Sequence, residues 1–80
     1  MNEPNNLSLV DSIRDLQRRK PFEPFRIVTV SGDKYLVEAS DNLAIGESQI
    51  FYCYPHSDKL AYIRISQLVA IEQFRETSRI

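Results

Sequence analysis

The sequence is poor in the residues that build most catalytic and metal sites. The 80-residue chain has one cysteine, Cys53, one histidine, His56, and two glycines. A lone cysteine excludes an internal disulfide and a zinc site built from several cysteines, and it fits a reducing compartment. Phosphate-binding loops, dinucleotide fingerprints and metal-ligand clusters are also missing. We therefore predict that the protein is not an enzyme and has no catalytic residues, no cofactor and no metal.

The chain also lacks an excess of either charge and a long apolar run. Its formal net charge is -1, so it does not have the basic character typical of proteins that bind nucleic acid phosphates. No stretch approaches the roughly 20 apolar residues of a membrane span, and the first residues do not have the pattern of a secretion signal. We expect a cytoplasmic protein with no membrane partner.

Length and composition predict one small globular domain. The hydrophobic fraction of 42% and the charged fraction of 26% are ordinary for a folded protein. A chain of this size buries only about 60% of its unfolded surface, so a self-associating surface would add stability. We assign residues 1–6 to a disordered tail, 7–76 to the domain and 77–80 to a frayed tail.

The first part of the chain has the pattern of an amphipathic helix. Leu9, Ile13 and Leu16 fall on one face at helical spacing. Asn6 or Ser8 can cap the first turn. Because the helix is apolar on one side, a sheet must cover that side.

The rest of the chain alternates short apolar segments with turn residues. Prolines at 21 and 24 bias the preceding residues away from helical angles, so the helix stops there. Segments bounded by glycine, serine, asparagine and aspartate are typical of antiparallel strands. The predicted strands are 25–30, 34–39, 43–45 with 49–54 as its continuation or partner, 60–65 and 69–74. We predict an α+β, mainly β fold, in which an N-terminal helix precedes about five short antiparallel strands in an Sm-like or SH3-like small barrel.

Residues 19–27 read RKPFEPFRI, with Gly32 five positions later. This block resembles one found in short uncharacterised bacterial proteins, which also have an N-terminal helix, a glycine hairpin and a segment similar to residues 63–72. The likeness spans residues 9–74. The resemblance implies the fold and carries no activity.

A more distant resemblance is to bacterial Sm-like RNA chaperones. In those proteins too, a first strand is followed by a glycine turn, and a late pair of strands is joined by a tight turn. Those proteins usually bend the second strand at a glycine, where this chain has Val37. Only Asp41 and Asn42 offer an equivalent of their asparagine-centred RNA pocket. The resemblance implies a small barrel.

Tyrosines on two predicted strands suggest an interface. If Phe51 and Cys53 point inward, Tyr52 and Tyr54 point outward, and Tyr62 extends their patch on the neighbouring strand. The opposite facing, or a helix over this surface, fits the pattern equally well. We predict a non-catalytic binding or assembly module that forms a homo-oligomer, or binds another protein, through strand edges and Tyr52, Tyr54 and Tyr62.

Positive charge is concentrated at the end of the predicted helix and just after it. Cations near a helix C-terminus interact favourably with the helix dipole, and this is the interpretation that we favour. The alternative function is weak binding of RNA or single-stranded DNA through phosphate contacts. The residues that would make these contacts are Arg14, Arg18, Arg19 and Arg26.

Overall fold

A computed structural model describes residues 6–74 of the chain, without the side chains of Asn6 and Leu7. Within these residues there are one α-helix and six strands. They are α1 (Asn6–Arg18), β1 (Phe25–Thr29), β2 (Lys34–Val37), β3 (Leu43–Ile45), β4 (Gln49–Cys53), β5 (Leu60–Arg64) and β6 (Leu68–Gln73). The predicted α+β, mainly β class is confirmed. Residues 1–5 and 75–80 lie outside the described residues, and with them nearly all of the two predicted tails.

The described strands form two separate antiparallel sheets of three strands each. The first sheet has the order β2-β1-β6 and the second the order β3-β4-β5. Residues 43–45 and 49–53, which the sequence left as one strand or a pair, are a hairpin. Their separation raises the count from the expected five strands to six. The strand pairings do not close the two sheets into a barrel.

Two short 3-10 helices carry the chain from one sheet to the other. The first, Ser40–Asn42, ends β2, and the second, Ile65–Gln67, joins β5 to β6. The side-chain Oδ1 of Asn42 accepts hydrogen bonds from the backbone N–H groups of Glu38 and Ala39, each at 3.0 Å. These bonds hold the turn that leads into the second sheet.

Helix α1 packs its apolar face against the first sheet. Val10, Ile13 and Leu16 are buried, at the three-residue spacing of one helix face. The side-chain Nε2 of Gln17 donates to the backbone carbonyls of Ser40 at 2.8 Å and Leu43 at 3.0 Å, so the helix is also attached to the start of the second sheet. The predicted apolar face is confirmed at Ile13 and Leu16, whereas the third predicted residue, Leu9, is only partly buried against the core. The helix begins at Asn6, so Ser8, one of the two predicted caps, lies inside it.

Two of the three hairpins, β1–β2 and β3–β4, close at glycines. Gly32 has a φ of +91°, a conformation that few residues with a Cβ adopt, and its N–H donates to the carbonyl of Thr29 at 2.9 Å. At Gly46 the N–H donates to the carbonyl of Gln49 at 2.8 Å. A Cβ at this position would lie 3.1 Å from that same oxygen, so the close approach favours glycine.

The core lies between the inner faces of the two sheets and α1. Phe25 and Ile27 of β1 and Ile50 of β4 are fully buried in it. The hydroxyl of Tyr52 in β4 donates a hydrogen bond to the backbone carbonyl of Leu36 in β2. This bond connects the two sheets directly.

Candidate interaction surface

The second sheet has an exposed apolar surface, which we call the outer face. Strand register places Phe51 between Ala44 and Tyr62, and it places Cys53 opposite Leu60. Leu60 is 59% exposed and Tyr62 is 65% exposed, while Phe51 is 38% exposed. The rings of Phe51 and Tyr62 meet edge to face with centroids 5.2 Å apart. The outer face therefore presents a fixed aromatic pair beside an exposed leucine.

The three tyrosines predicted to form an interface do not share one face. Tyr62 lies on the outer face, as expected. Tyr52 is 2% exposed and belongs to the core, so the prediction that it faces outward is wrong. Tyr54 follows β4 and is half-buried, packed against the same core. Of the three, Tyr62 is the one that a partner can reach across most of its surface.

The side chains of β4 point in the opposite directions to those that the interface prediction assumed. Ile50 and Tyr52 point inward, whereas Phe51 and Cys53 point outward. Cys53, which the interface prediction placed on the inward side of β4, therefore has an exposed thiol. The cause lies in the neighbouring strand, because Ile50 pairs with the buried Ile63 and a strand inserts alternate residues into one core.

Tyr52 and its half-buried neighbours Tyr35 and Tyr54 form an aromatic cluster. The ring centroid of Tyr52 lies 5.2 Å from that of Tyr35 and 5.0 Å from that of Tyr54, each at a steep angle. Burial raises the pKa of Tyr52, and the nearby Tyr54 and Glu38 raise that pKa further. Burial also raises the pKa of Tyr35. Both phenols therefore stay protonated at neutral pH, and Tyr52 keeps its donor for the carbonyl of Leu36.

The four arginines predicted as a nucleic-acid site are split between two environments. Arg14, Arg18 and Arg19 are exposed on α1 and the residue after it, and none of them forms an ion pair within residues 6–74. Arg14 and Arg18 lie four residues apart, on one face of α1, and Arg19 follows Arg18 directly.

Arg26 is separate from this group and already has partners. Its Nη2 lies 2.7 Å from Oε1 of Glu72, to which its Nε also donates at 2.8 Å. Its guanidinium carbon lies 5.0 Å from the centroid of the Phe74 ring. Since Arg26 bridges β1 and β6, its charge is engaged in holding the first sheet together.

Asn42, one of two residues compared with an RNA pocket, has a structural role. Its Oδ1 is occupied by the two backbone donors described above.

His56 stands in the turn between β4 and β5 with a φ of 60°, and its Nε2 lies 3.3 Å from Oε1 of Glu38. Its side chain is 85% exposed. Across the described part of the chain, histidine, cysteine and acidic side chains form no group of three that could hold a metal ion.

A cleft of about 160 Å³ lies beside Tyr62, between the two sheets. Thr29, Ser31 and Asp33 line one side of it, at the β1–β2 turn, and Arg64 and Gln67 line another part. The hydroxyls of Thr29 and Ser31 lie 3.1 Å apart, and Ser31 donates to Oδ2 of Asp33 at 3.0 Å. Because these groups satisfy one another, we interpret them as stabilising the turn.

Comparison with known proteins gives no family assignment. No family model matches the chain, and neither a curated protein nor a solved structure shows significant similarity to it. None of the helices in residues 6–74 is long and apolar enough to cross a membrane. The likeness to short bacterial proteins and to Sm-like barrels stays a prediction.

Proposed function

We propose that the protein is a non-catalytic assembly module that associates with copies of itself through the second sheet. The outer face carries the proposal, because Leu60 and Tyr62 are each more than half exposed and Phe51 packs beside Tyr62. Tyrosine and phenylalanine offer a large contact area at low cost in side-chain entropy, and they are enriched in protein interfaces. An aromatic surface of this kind favours a protein partner over solvent.

The architecture supports the same proposal. We infer that the two sheets act as the halves of a small open barrel of the Sm-like or SH3-like kind, sealed by α1. Two observations support this arrangement: the 3-10 helices that carry the chain between the sheets, and the bond from Tyr52 to the carbonyl of Leu36. Such a fold leaves sheet edges open to pairing. The exposed thiol of Cys53 fits a cytoplasmic location.

The test is the assembly state over a wide range of protein concentration. Sedimentation velocity should show reversible association that the double change Leu60→Ser with Tyr62→Ser abolishes. Val30→Ser is the matched control, because Val30 is as exposed as Leu60, at 59%, but lies outside the second sheet. A wild-type chain that sediments as a monomer at every concentration would remove this function.

The alternative, weak binding of RNA or single-stranded DNA, rests on Arg14, Arg18 and Arg19. Phosphate contacts are strongest at low ionic strength, where released counterions contribute most to binding. A labelled mixed oligonucleotide should then bind, and the triple change of these arginines to glutamine should prevent binding. Absence of binding at low salt leaves the assembly function as the proposal.

A further inference from the structure

Strand β5 is an edge of the second sheet, separated from the β1–β2 turn by the cleft beside Tyr62, and its outward backbone groups can be identified residue by residue. The N–H of Tyr54 donates to the carbonyl of Lys59, and the N–H of Ile65 donates to the carbonyl of Ser48, both at 3.0 Å. These bonds bracket the β4–β5 ladder, in which hydrogen-bonded and non-hydrogen-bonded pairs alternate.

The alternation places the inner bonds of this ladder at Ala61 and Ile63. Leu60, Tyr62 and Arg64 belong to the non-hydrogen-bonded pairs, so their backbone N–H and C=O groups point away from β4. The carbonyl of Arg64 leads into the 3-10 helix that follows. The remaining outward groups have no hydrogen-bond partner within residues 6–74.

Natural proteins usually protect such edges with short strands, bulges, proline, charge or a covering element. The other three edges here have protection of this kind. β3 has three residues and β2 has four, and β6 packs against α1 and has a register shift opposite β1. β5 has five residues in continuous register, no proline, and one charge, Arg64, at its end.

We propose that two copies of the chain pair β5 with β5 in antiparallel fashion, about a two-fold axis through Tyr62. This inference rests on the proposed assembly function and specifies its geometry. Self-pairing about Tyr62 places Tyr62 opposite Tyr62 and Leu60 opposite Arg64 of the second copy. Every outward-pointing residue of one strand then meets an outward-pointing residue of the other, so the free N–H of Arg64 faces the free carbonyl of Leu60.

The side chains are compatible with the same register. Arg64 lies opposite a leucine, and Lys59 lies opposite Ile65 of the second copy, so no like charges oppose each other. The outer faces of the two copies join into one surface, in which the aromatic pairs Phe51 and Tyr62 become neighbours across the axis.

Disulfide trapping tests the register directly. In a Cys53→Ser background, Tyr62→Cys places two thiols in a hydrogen-bonded pair with Cα atoms about 5.5 Å apart, within disulfide reach. Phe51→Cys is the matched control on the same face. Its copies lie three strand spacings apart, about 14 Å, and cannot be bridged. With oxidised glutathione as the oxidant, Tyr62→Cys should give a covalent dimer, and Phe51→Cys should not.

Mixing distinguishes this register from any other. A Leu60→Cys chain and an Arg64→Cys chain, each in the Cys53→Ser background and differing in mass, should form the mixed dimer in preference to either homodimer. Trapping of Phe51→Cys as readily as Tyr62→Cys would overturn the inference.

A proline variant tests the backbone contribution. Tyr62→Pro removes an N–H that points away from β4, so the intramolecular ladder keeps its bonds. It should weaken dimerisation by about tenfold or more relative to Tyr62→Thr, which also lacks the ring but keeps the N–H. If the wild type dimerises and both variants associate equally, the β5 edge is wrong while the assembly function stands. If the wild type is monomeric throughout, both are wrong.

Discussion

Removal of the Tyr52 hydroxyl should weaken the connection between the two sheets without disturbing the core around it. In Tyr52→Phe the ring keeps its contacts with Tyr35 and Tyr54, and only the hydrogen bond to the carbonyl of Leu36 is lost. A net hydrogen bond contributes about 0.5–1.5 kcal/mol. The bond is partly buried, so water can replace part of the lost donor, and we expect a loss of about 1 kcal/mol in the free energy of unfolding.

Urea unfolding followed by circular dichroism measures this loss. For a domain of this size the dependence of free energy on urea is about 1 kcal/mol per molar, so the midpoint should fall by about 1 M with an unchanged slope. The melting temperature should fall by about 4–8 °C. Tyr54→Phe is the control, because Tyr54 belongs to the same cluster but its hydroxyl makes no hydrogen bond within residues 6–74. Equal midpoints for the two variants would refute the contribution that we assign to the bond between the sheets.

Two further predictions concern the same framework. Because the pKa values of Tyr35 and Tyr52 are raised in the folded state, their contribution to stability is complete below about pH 10 and is lost as pH rises through the folded pKa values. Urea midpoints across this pH range should therefore fall less in the double variant Tyr35→Phe with Tyr52→Phe than in the wild type. Parallel curves of midpoint against pH for the two proteins would contradict this assignment. Gly32→Ala should lower the free energy of unfolding by about 1 kcal/mol, because an added Cβ meets no atom within 4 Å and the cost comes from the φ of +91° alone. Gly32→Asn should lose less, since asparagine tolerates positive φ better than alanine, and a larger loss for asparagine would exclude this explanation.

Local sequence patterns predicted most of the secondary structure. The apolar face of α1 is visible in the sequence because Ile13 and Leu16 recur at helical spacing, and the hairpin at Gly32 because a glycine turn separates two apolar segments. The division into two sheets was not predicted. It depends on Asn42, whose side chain ends β2 and turns the chain towards β3, and a hydrogen bond of that kind leaves no periodic signal.

The candidate surface was predicted only in part, for a reason specific to β4. Residues 50–54 are all apolar or aromatic, so alternation alone cannot distinguish the inner from the outer face. Facing is decided by pairing with β5, where Ile63 is buried and Tyr62 is exposed. The ion pair between Arg26 and Glu72 was not predicted for a similar reason, since the two residues are 46 positions apart in the sequence. Contacts between distant segments depend on how their strands pair, and the pattern within one segment does not determine that pairing.

The central position of β1 in the first sheet determines the order in which the two sheets can form during synthesis. Phe25 pairs with Val37 on one side and with Gln73 on the other, so one neighbour of β1 is translated soon after it and the other last among the described strands. The second sheet, by contrast, is contiguous between residues 43 and 64. A nascent chain can therefore complete the second sheet while β1 still has one bare flank. Until β6 leaves the ribosome, that flank is an unpaired strand edge open to mispairing with other chains.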